Sequence, residues 1–265
     1  MSALAISLLG SFSVSLDDTP PIAFPTDKVR ALLAYLVVEA DRAHRREYLA
    51  DMLWPDSAAT AARNCLRQAL FQLRKPLADS ERPVPYLLVS AKEICFNPLS
   101  DYWLDVAELK TCLSKARTHK RSGQCLCPDC LARLEAAVEL YKGDFMAGFS
   151  LPDCPRFTLW QLTVQESCCH KALEALVILA STCESQQEYR RVSRFARRQI
   201  ALNPLYEPAY RRYMRALALN GEGCEALRQY DVCRKMLEVE MGVDPSAETT
   251  RLYQQIRTGK LTELG

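Results

Sequence analysis

Glycine and histidine are scarce in this chain, with nine and three among 265 residues. Few glycines leave little material for loops that cradle phosphate, and the sequence has no G-x-x-x-x-G-K-[ST], G-x-G-x-x-G or G-x-S-x-G. No H-E-x-x-H or H-x-E pattern supplies a general base beside a metal. A hydrolase or transferase therefore has no motif to stand on. No run of 18 apolar residues occurs, so no membrane-spanning helix is expected. The N-terminal stretch MSALAISLLGSFSVSLDD lacks a basic leader and alternates, which suits a strand better than a signal peptide. A charge excess is missing too. The net charge is +2, and residues 1–100 hold 11 Lys and Arg against 11 Asp and Glu. Any attraction to nucleic acid must come from local asymmetry.

Cysteine is the exception to this scarcity, with twelve in the chain. Most fall within helical patterns (Cys65, Cys112, Cys168, Cys169, Cys183, Cys224 and Cys233), where a reduced thiol acts as a small apolar group. This usage points to a reducing cytoplasm.

The most informative stretch is 60–96. The segment TAARNCLRQALFQLRKPL predicts an amphipathic helix over 60–77, with Leu66, Ala69, Leu70, Leu73 and Leu77 inward. Its other side carries Arg63, Asn64, Arg67, Gln68, Phe71, Arg74 and Lys75, with no acid between Arg63 and Lys75. PYLLVSAKEICFNP then predicts a hairpin turning at Ala91-Lys92-Glu93. Upstream, strands are expected within 4–16 around a Gly10-Ser11 turn and at Ile22–Phe24. One helix starts after Thr26 as N-cap, with Val29, Leu32, Leu33, Leu36 and Val37 inward, and another covers about 45–53. Strands, three helices and a hairpin make a winged helix-turn-helix with an N-terminal sheet, as in the response-regulator output type. The expected fold is thus an α+β winged helix over 1–100 and an all-α, tetratricopeptide-like domain over 101–265.

In the second half, strands are expected to disappear. Helical patterns occupy about 103–117, 129–142, 155–184, 187–202, 206–220, 222–240 and 246–258. Gln187–Leu202 superposes on Gly221–Met236 at an offset of 34, placing Val192 and Ala196 on Ala226 and Tyr230. That period, built from helix pairs, is the tetratricopeptide signature.

Several segments together resemble one family. They are LLGSFSVSLDD, PTDKVRALLAYL, REYLADMLWPDS, ARNCLRQALFQLRKPL, LYKGDFMAGFSLPDCPRF and the ending EMGVDPSAETTRLY. Nearly the whole chain is similar to the bacterial transcriptional activator domain family, including the Streptomyces antibiotic regulatory proteins. The resemblance implies a cytoplasmic regulator that binds direct DNA repeats and contacts RNA polymerase. Many members carry further domains, so this chain reads as a short member or a fragment.

The helix at 60–77 supplies the candidate DNA contacts. Arg suits guanine O6 and N7, and Asn and Gln suit adenine N6 and N7. Arg63, Asn64, Arg67, Gln68 and Phe71 share one flank and match groove-facing positions of the response-regulator output helix. Arg74 and Lys75 lie where phosphate would be met, and Lys28, Arg30, Arg45, Arg46 and Lys92 are further phosphate candidates. A solvated amphipathic helix in a repurposed domain is the plainer alternative.

Cys127-x2-Cys130 has the spacing at which two thiolates reach one tetrahedral ion. Cys112 and His119 are the expected other pair, with Cys125 as alternative, giving a structural zinc loop over 112–130. Relatives in the family often show a similar loop before the LY-x-GDF segment. A cysteine-rich loop without an ion is the competing reading. The run RRVSRFARR, 190–198, reads as the solvated side of a helix whose Val192, Phe195 and Ala196 point inward. Trp54, Trp103 and Trp160 read as core anchors, and Cys168-Cys169-His170 as a packed helix face.

The expected function is a non-enzymatic regulator of transcription. It reads double-stranded DNA with the helix at 60–77 and uses its helical domain to contact RNA polymerase or another protein, or to self-associate as a homo-oligomer. The alternative is a protein-interaction scaffold that has lost DNA.

Overall fold

The computed structural model describes residues 4–17, 19–121 and 127–261. These form two compact units, one of residues 1–111 with 139–168, the other of 112–138 with 169–265.

In the first unit, β1 (Leu4–Ser7) and β2 (Ser13–Leu16) pair antiparallel across a tight turn. Gly10 in that turn has φ +124°, and a Cβ there would meet the Lys142 Cβ at 3.4 Å. Ile22–Phe24 forms no strand, unlike the expectation. Its one ladder-like bond is Ile22 N–H donating to Val14 O at 2.7 Å, too little to build a ladder.

Helix α1 (Asp27–Val38) opens on the Thr26 cap, whose hydroxyl accepts from Val29 N–H. The five expected inward residues are all buried. Helix α2 (Arg46–Leu53) ends at Trp54, and α3 (Ala59–Arg74) follows, with Leu66, Ala69, Leu70 and Leu73 buried. The hairpin is β4 (Leu87–Val89) and β5 (Glu93–Phe96).

Two strands were not expected. β3 (His44–Arg45) pairs with β5, making a three-stranded wing in the order β3-β5-β4. β6 (Tyr102–Leu104) lies parallel to β1, so strands do not cease at residue 101. Both are too short to show alternation, and each is defined by its partner.

Segment 139–168 completes this unit's core. Met146 N–H donates to Leu8 O at 2.7 Å, and Gly10 N–H to Asp144 O at 3.1 Å. The Cys154 thiol donates to Leu53 O at 3.2 Å. Trp160 packs on Tyr35, Phe145 and Phe157 and donates its indole N–H to Glu39 at 3.0 Å. The packing thus groups residues differently from a cut at residue 100. Asp105, the first residue of α4 (Asp105–Arg121), joins these layers. Its buried carboxylate accepts from Leu8 and Leu9 N–H at 2.7 and 2.8 Å. Burial raises its pKa despite those donors, because desolvation disfavours the charged form.

The second unit contains the later parts of α4 and of α6 (Pro155–Ser185), with α5 (Pro128–Glu139) and the pairs α7 (Tyr189–Leu202), α8 (Glu207–Leu219) and α9 (Gly223–Met241), α10 (Ala247–Arg257). The 34-residue offset holds in the turns. Gln187 and Gly221 both take left-handed backbone, at φ 57° and 84°. Glu188 N–H donates to Cys183 O, and its counterpart Glu222 N–H to Leu217 O, each at 2.9 Å. This is the bond that closes a helix over a left-handed residue. Val192 and Ala226 are both fully buried. The repeat is irregular because α9 has 19 residues against 14 for α7.

Candidate nucleic-acid interface and metal cluster

Helix α3 places its apolar stripe inward, so the opposite residues face solvent. Arg63, Asn64, Arg67, Gln68, Phe71 and Lys75 are all exposed, Phe71 to 67%. An apolar ring that exposed, between arginines, is not explained by packing within the unit.

The wing is fixed beside this face. Arg46 N–H donates to Lys92 O at 2.9 Å, and the Arg46 guanidinium to Ser90 O at 3.3 Å. The Ser90 hydroxyl accepts from Glu93 N–H at 2.9 Å and from Lys92 N–H at 3.3 Å, which shapes the turn with Lys92 at its exposed tip. Arg45, Arg46, Arg63, Asn64, Arg67 and Lys92 line one open trough, with Glu47 and Glu93 as its acids. Five cations against two acids give the local asymmetry that the balanced totals conceal. Arg67 also lines a second concavity with Phe71, Lys75 and Val89.

The expected contacts divide by what they already bind. Arg67, Lys75, Arg45 and Lys92 show no ion pair among the described residues, while Arg63 has only a 4.0 Å approach to Glu47. Arg74 is committed internally. Its Nε donates at 2.8 Å to Asp79, whose side chain is fully buried. The other Asp79 oxygen accepts from Tyr86 and Leu87 N–H at 2.6 and 3.2 Å. Arg74 therefore ties the end of α3 to the start of the wing instead of standing ready for phosphate. Lys28 pairs with Asp153 at 2.7 Å and lies 5.7 Å from the Trp54 ring centre. Arg30 pairs with Asp27 at 3.0 Å. The sequence reading missed Asp79 and the anchoring role of Arg46. An acid five residues after Arg74 was the available signal for the first.

The metal candidates are partly brought together. His119, Cys127 and Cys130 place ligand atoms within 4.8 Å of one another, so this cluster could hold a metal ion. Cys127 sits just before α5, and its sulfur accepts from Cys130 N–H at 3.4 Å. Hydrogen bonds from the Cys130 thiol and N–H hold the Cys127 thiol below its ordinary pKa, and the same thiol contact raises Cys130. His119 Nδ1 lies 2.9 Å from Lys115 O, an acceptor only. Nδ1 must then carry the proton, leaving the ligand lone pair on Nε2, as in metal sites where a carbonyl orients the ring. The donor set suits a thiophilic ion such as zinc.

Cys112 does not join the cluster. It is buried, at 6% exposure, on the same helix as His119. Its sulfur is not among the ligand atoms that lie within 4.8 Å of one another. Cys125 lies outside the described residues.

The run at 190–198 packs as expected, with Val192, Phe195 and Ala196 buried. Several of its arginines bind within the unit. Arg191 pairs with Glu135 and Glu188 at 2.7 and 2.6 Å, Arg194 also pairs with Glu135, and Arg198 donates to Val138 O at 2.8 Å.

Comparison with known proteins agrees with this architecture. Residues 104–257 match the model of the family described as bacterial transcriptional activator domain. The chain belongs to that family. Regulatory protein AfsR of Streptomyces coelicolor is 28% identical over 245 residues, covering 90% of this chain but 23% of AfsR. Transcriptional regulatory protein MoaR1 of Mycobacterium tuberculosis is 22% identical over 260 residues, covering 96% of this chain and 79% of MoaR1. The chain thus spans under a quarter of one relative's length and most of another's. Among solved structures, Mycobacterium tuberculosis EmbR in complex with a low affinity phosphopeptide superposes with a TM-score of 0.71. It is 21% identical, with 99% of this chain and 67% of that chain covered, and carries the fold alone. These relatives bear the names of regulators, not of enzymes.

Proposed function

We propose that this chain is a DNA-binding transcriptional regulator, an activator by the habit of its family, with α3 in the major groove and the wing on the flanking backbone. Residues 1–100 supply the reader, and the helical region 101–265 contacts RNA polymerase or another protein, or joins copies of the chain. The observation that carries the reading is the exposed α3 flank of Arg63, Asn64, Arg67, Gln68 and Phe71 beside an anchored wing. These groups match what base edges offer, Phe71 suiting a thymine methyl. Arg45, Arg46, Lys75 and Lys92 meet phosphate; Lys28, Arg30 and Arg74 are held by internal acids and contribute less. One such helix reads few base pairs, so tandem or paired binding is expected. The chain works in the cytoplasm, where DNA and polymerase are. Among the described residues, no helix is long and apolar enough to cross a membrane.

The test is binding to duplexes selected from random sequence, measured across salt. The reading predicts one enriched motif and affinity that falls steeply with salt. Failure to bind any duplex at low salt would leave the interaction scaffold instead.

His119, Cys127 and Cys130 hold a structural zinc. Zinc there would staple the segment ahead of α5, with no catalytic part. Metal analysis should find about one zinc per chain. Unchanged metal content in Cys127→Ser plus Cys130→Ser would refute the site.

A further inference from the structure

Helices α8 and α10 begin side by side and run in the same direction. At their start, Glu207 accepts from Ser246 N–H at 3.0 Å, from the Ser246 hydroxyl at 2.8 Å and from the Thr249 hydroxyl at 2.5 Å. One turn along, Arg211 on α8 pairs with Glu248 on α10 at 2.9 Å. The next turn of each helix carries Arg215 and Arg251. Beyond that single ion pair, the two cations line the same groove with no acid paired to either among the described residues. Two cations that share one groove repel each other the more strongly the closer they lie. An anion between them would remove that cost.

The surroundings narrow the kind of anion. The groove is walled by Arg211, Arg212, Arg215 and Arg251 against Glu184 and Glu248, an excess of two cations. Arg212 is held by Glu184 at 3.2 Å. A second concavity shares the Glu184 and Arg215 walls and continues over Tyr189 and Leu219, both half-buried. The cationic gap therefore adjoins an apolar shelf. A nucleic-acid backbone carries charge at every step and would meet both glutamates. A peptide can place one carboxylate at the gap and an apolar side chain on the shelf.

We propose that this groove docks an acidic segment of a protein partner, with a carboxylate bridging Arg215 and Arg251 and an apolar neighbour against Leu219 and Tyr189. The groove shares no residue with the α3 face and does not depend on DNA binding.

The test uses the full chain and a short fluorescein-labelled peptide of alternating glutamate and leucine, read by anisotropy. Arg215→Ala plus Arg251→Ala should weaken binding about tenfold or more, since the bridging cations are removed. A glutamine-for-glutamate peptide should bind the native chain as weakly. Arg215→Glu sharpens the test, because it gives Arg251 an internal partner. Its thermal midpoint should stay level or rise while peptide binding is lost, which a folding defect would not produce. Arg63→Ala plus Arg67→Ala should leave peptide affinity unchanged, so failure of the DNA reading and of this one are distinguishable. The proposal is overturned if the native chain fails to bind the peptide at low salt, or if the glutamine peptide binds equally. It is also overturned if the Arg215 and Arg251 double variant loses duplex DNA binding while keeping the peptide.

Discussion

Helices α3 and α7 are both rich in arginine, with three and five, so in sequence α7 is the more basic. In structure α7 holds three of its five arginines internally, against one of three on α3. Arg191, Arg194 and Arg198 of α7 are bound to Glu135, Glu188 and a carbonyl of α5. Among the described residues, Arg74 alone on α3 is so engaged, while Arg67 has no acid partner and Arg63 a distant one. Charge available to a partner is what internal acids leave over, and a count of lysine and arginine does not give it. The same subtraction explains how residues 1–100, with balanced totals, still present a cationic trough.

The largest effect should separate the two helices outright. Arg63→Ala plus Arg67→Ala is expected to cost about 2–6 kcal/mol of specific DNA affinity, if each arginine makes a bidentate base contact. Thermal stability should stay level, since both side chains are exposed. Electrophoretic mobility shift and thermal melting of the same preparations check this.

Asp79→Ala should follow, in stability. It strips a buried acceptor from Tyr86 and Leu87 N–H and a partner from Arg74. A loss of about 2–4 kcal/mol is expected in denaturant unfolding. A level unfolding curve would mean that the α3 end is not held by this strap.

Glu207→Gln should destabilise the second unit by about 1 kcal/mol, a hydrogen-bond-sized loss, with a telling pH dependence. Burial alone would raise the Glu207 pKa, but the Thr249 and Ser246 hydroxyls, the Ser246 N–H and Arg211 outweigh it and hold the carboxyl below 4.5. A depressed pKa stabilises the fold fully above the ordinary value and loses that effect as pH falls through the folded one. The gap between native and variant chains should therefore close on acidification below about 4.5; a constant gap would contradict the charge-based account.

The smallest effect belongs to α7. Arg191→Ala plus Arg194→Ala should cost about 1 kcal/mol or less of stability, because the pairs are partly exposed. DNA affinity should not move.

The sequence showed the helices well and the connections between them poorly. Apolar spacing marked α1 and α3 because every inward residue obeys one period. β3 and β6 escaped because a strand of two or three residues is visible only through its partner. Asp79 and Asp105 escaped for a related reason. A buried acid has no sequence signature, and its role comes from amides that folding brings to it. Cys112 is a different case. Its spacing from His119 suits a ligand pair along the chain, and its sulfur is not among the three ligand atoms within 4.8 Å of one another. Which α3 arginines stay available was equally hidden, since it depends on where Asp79 and Glu47 fall.

The most direct measurement is the slope of log affinity against log salt for duplex DNA, taken on the native chain and on the α3 and α7 double variants. Each phosphate contact contributes about 0.9 to that slope. The native chain should bind with a steep negative slope. The α3 variant should bind far more weakly, with a slope no steeper than native, and the α7 variant should reproduce the native line. Equal losses in both variants, or a native chain indifferent to salt, would contradict the claim that α3 is the reader.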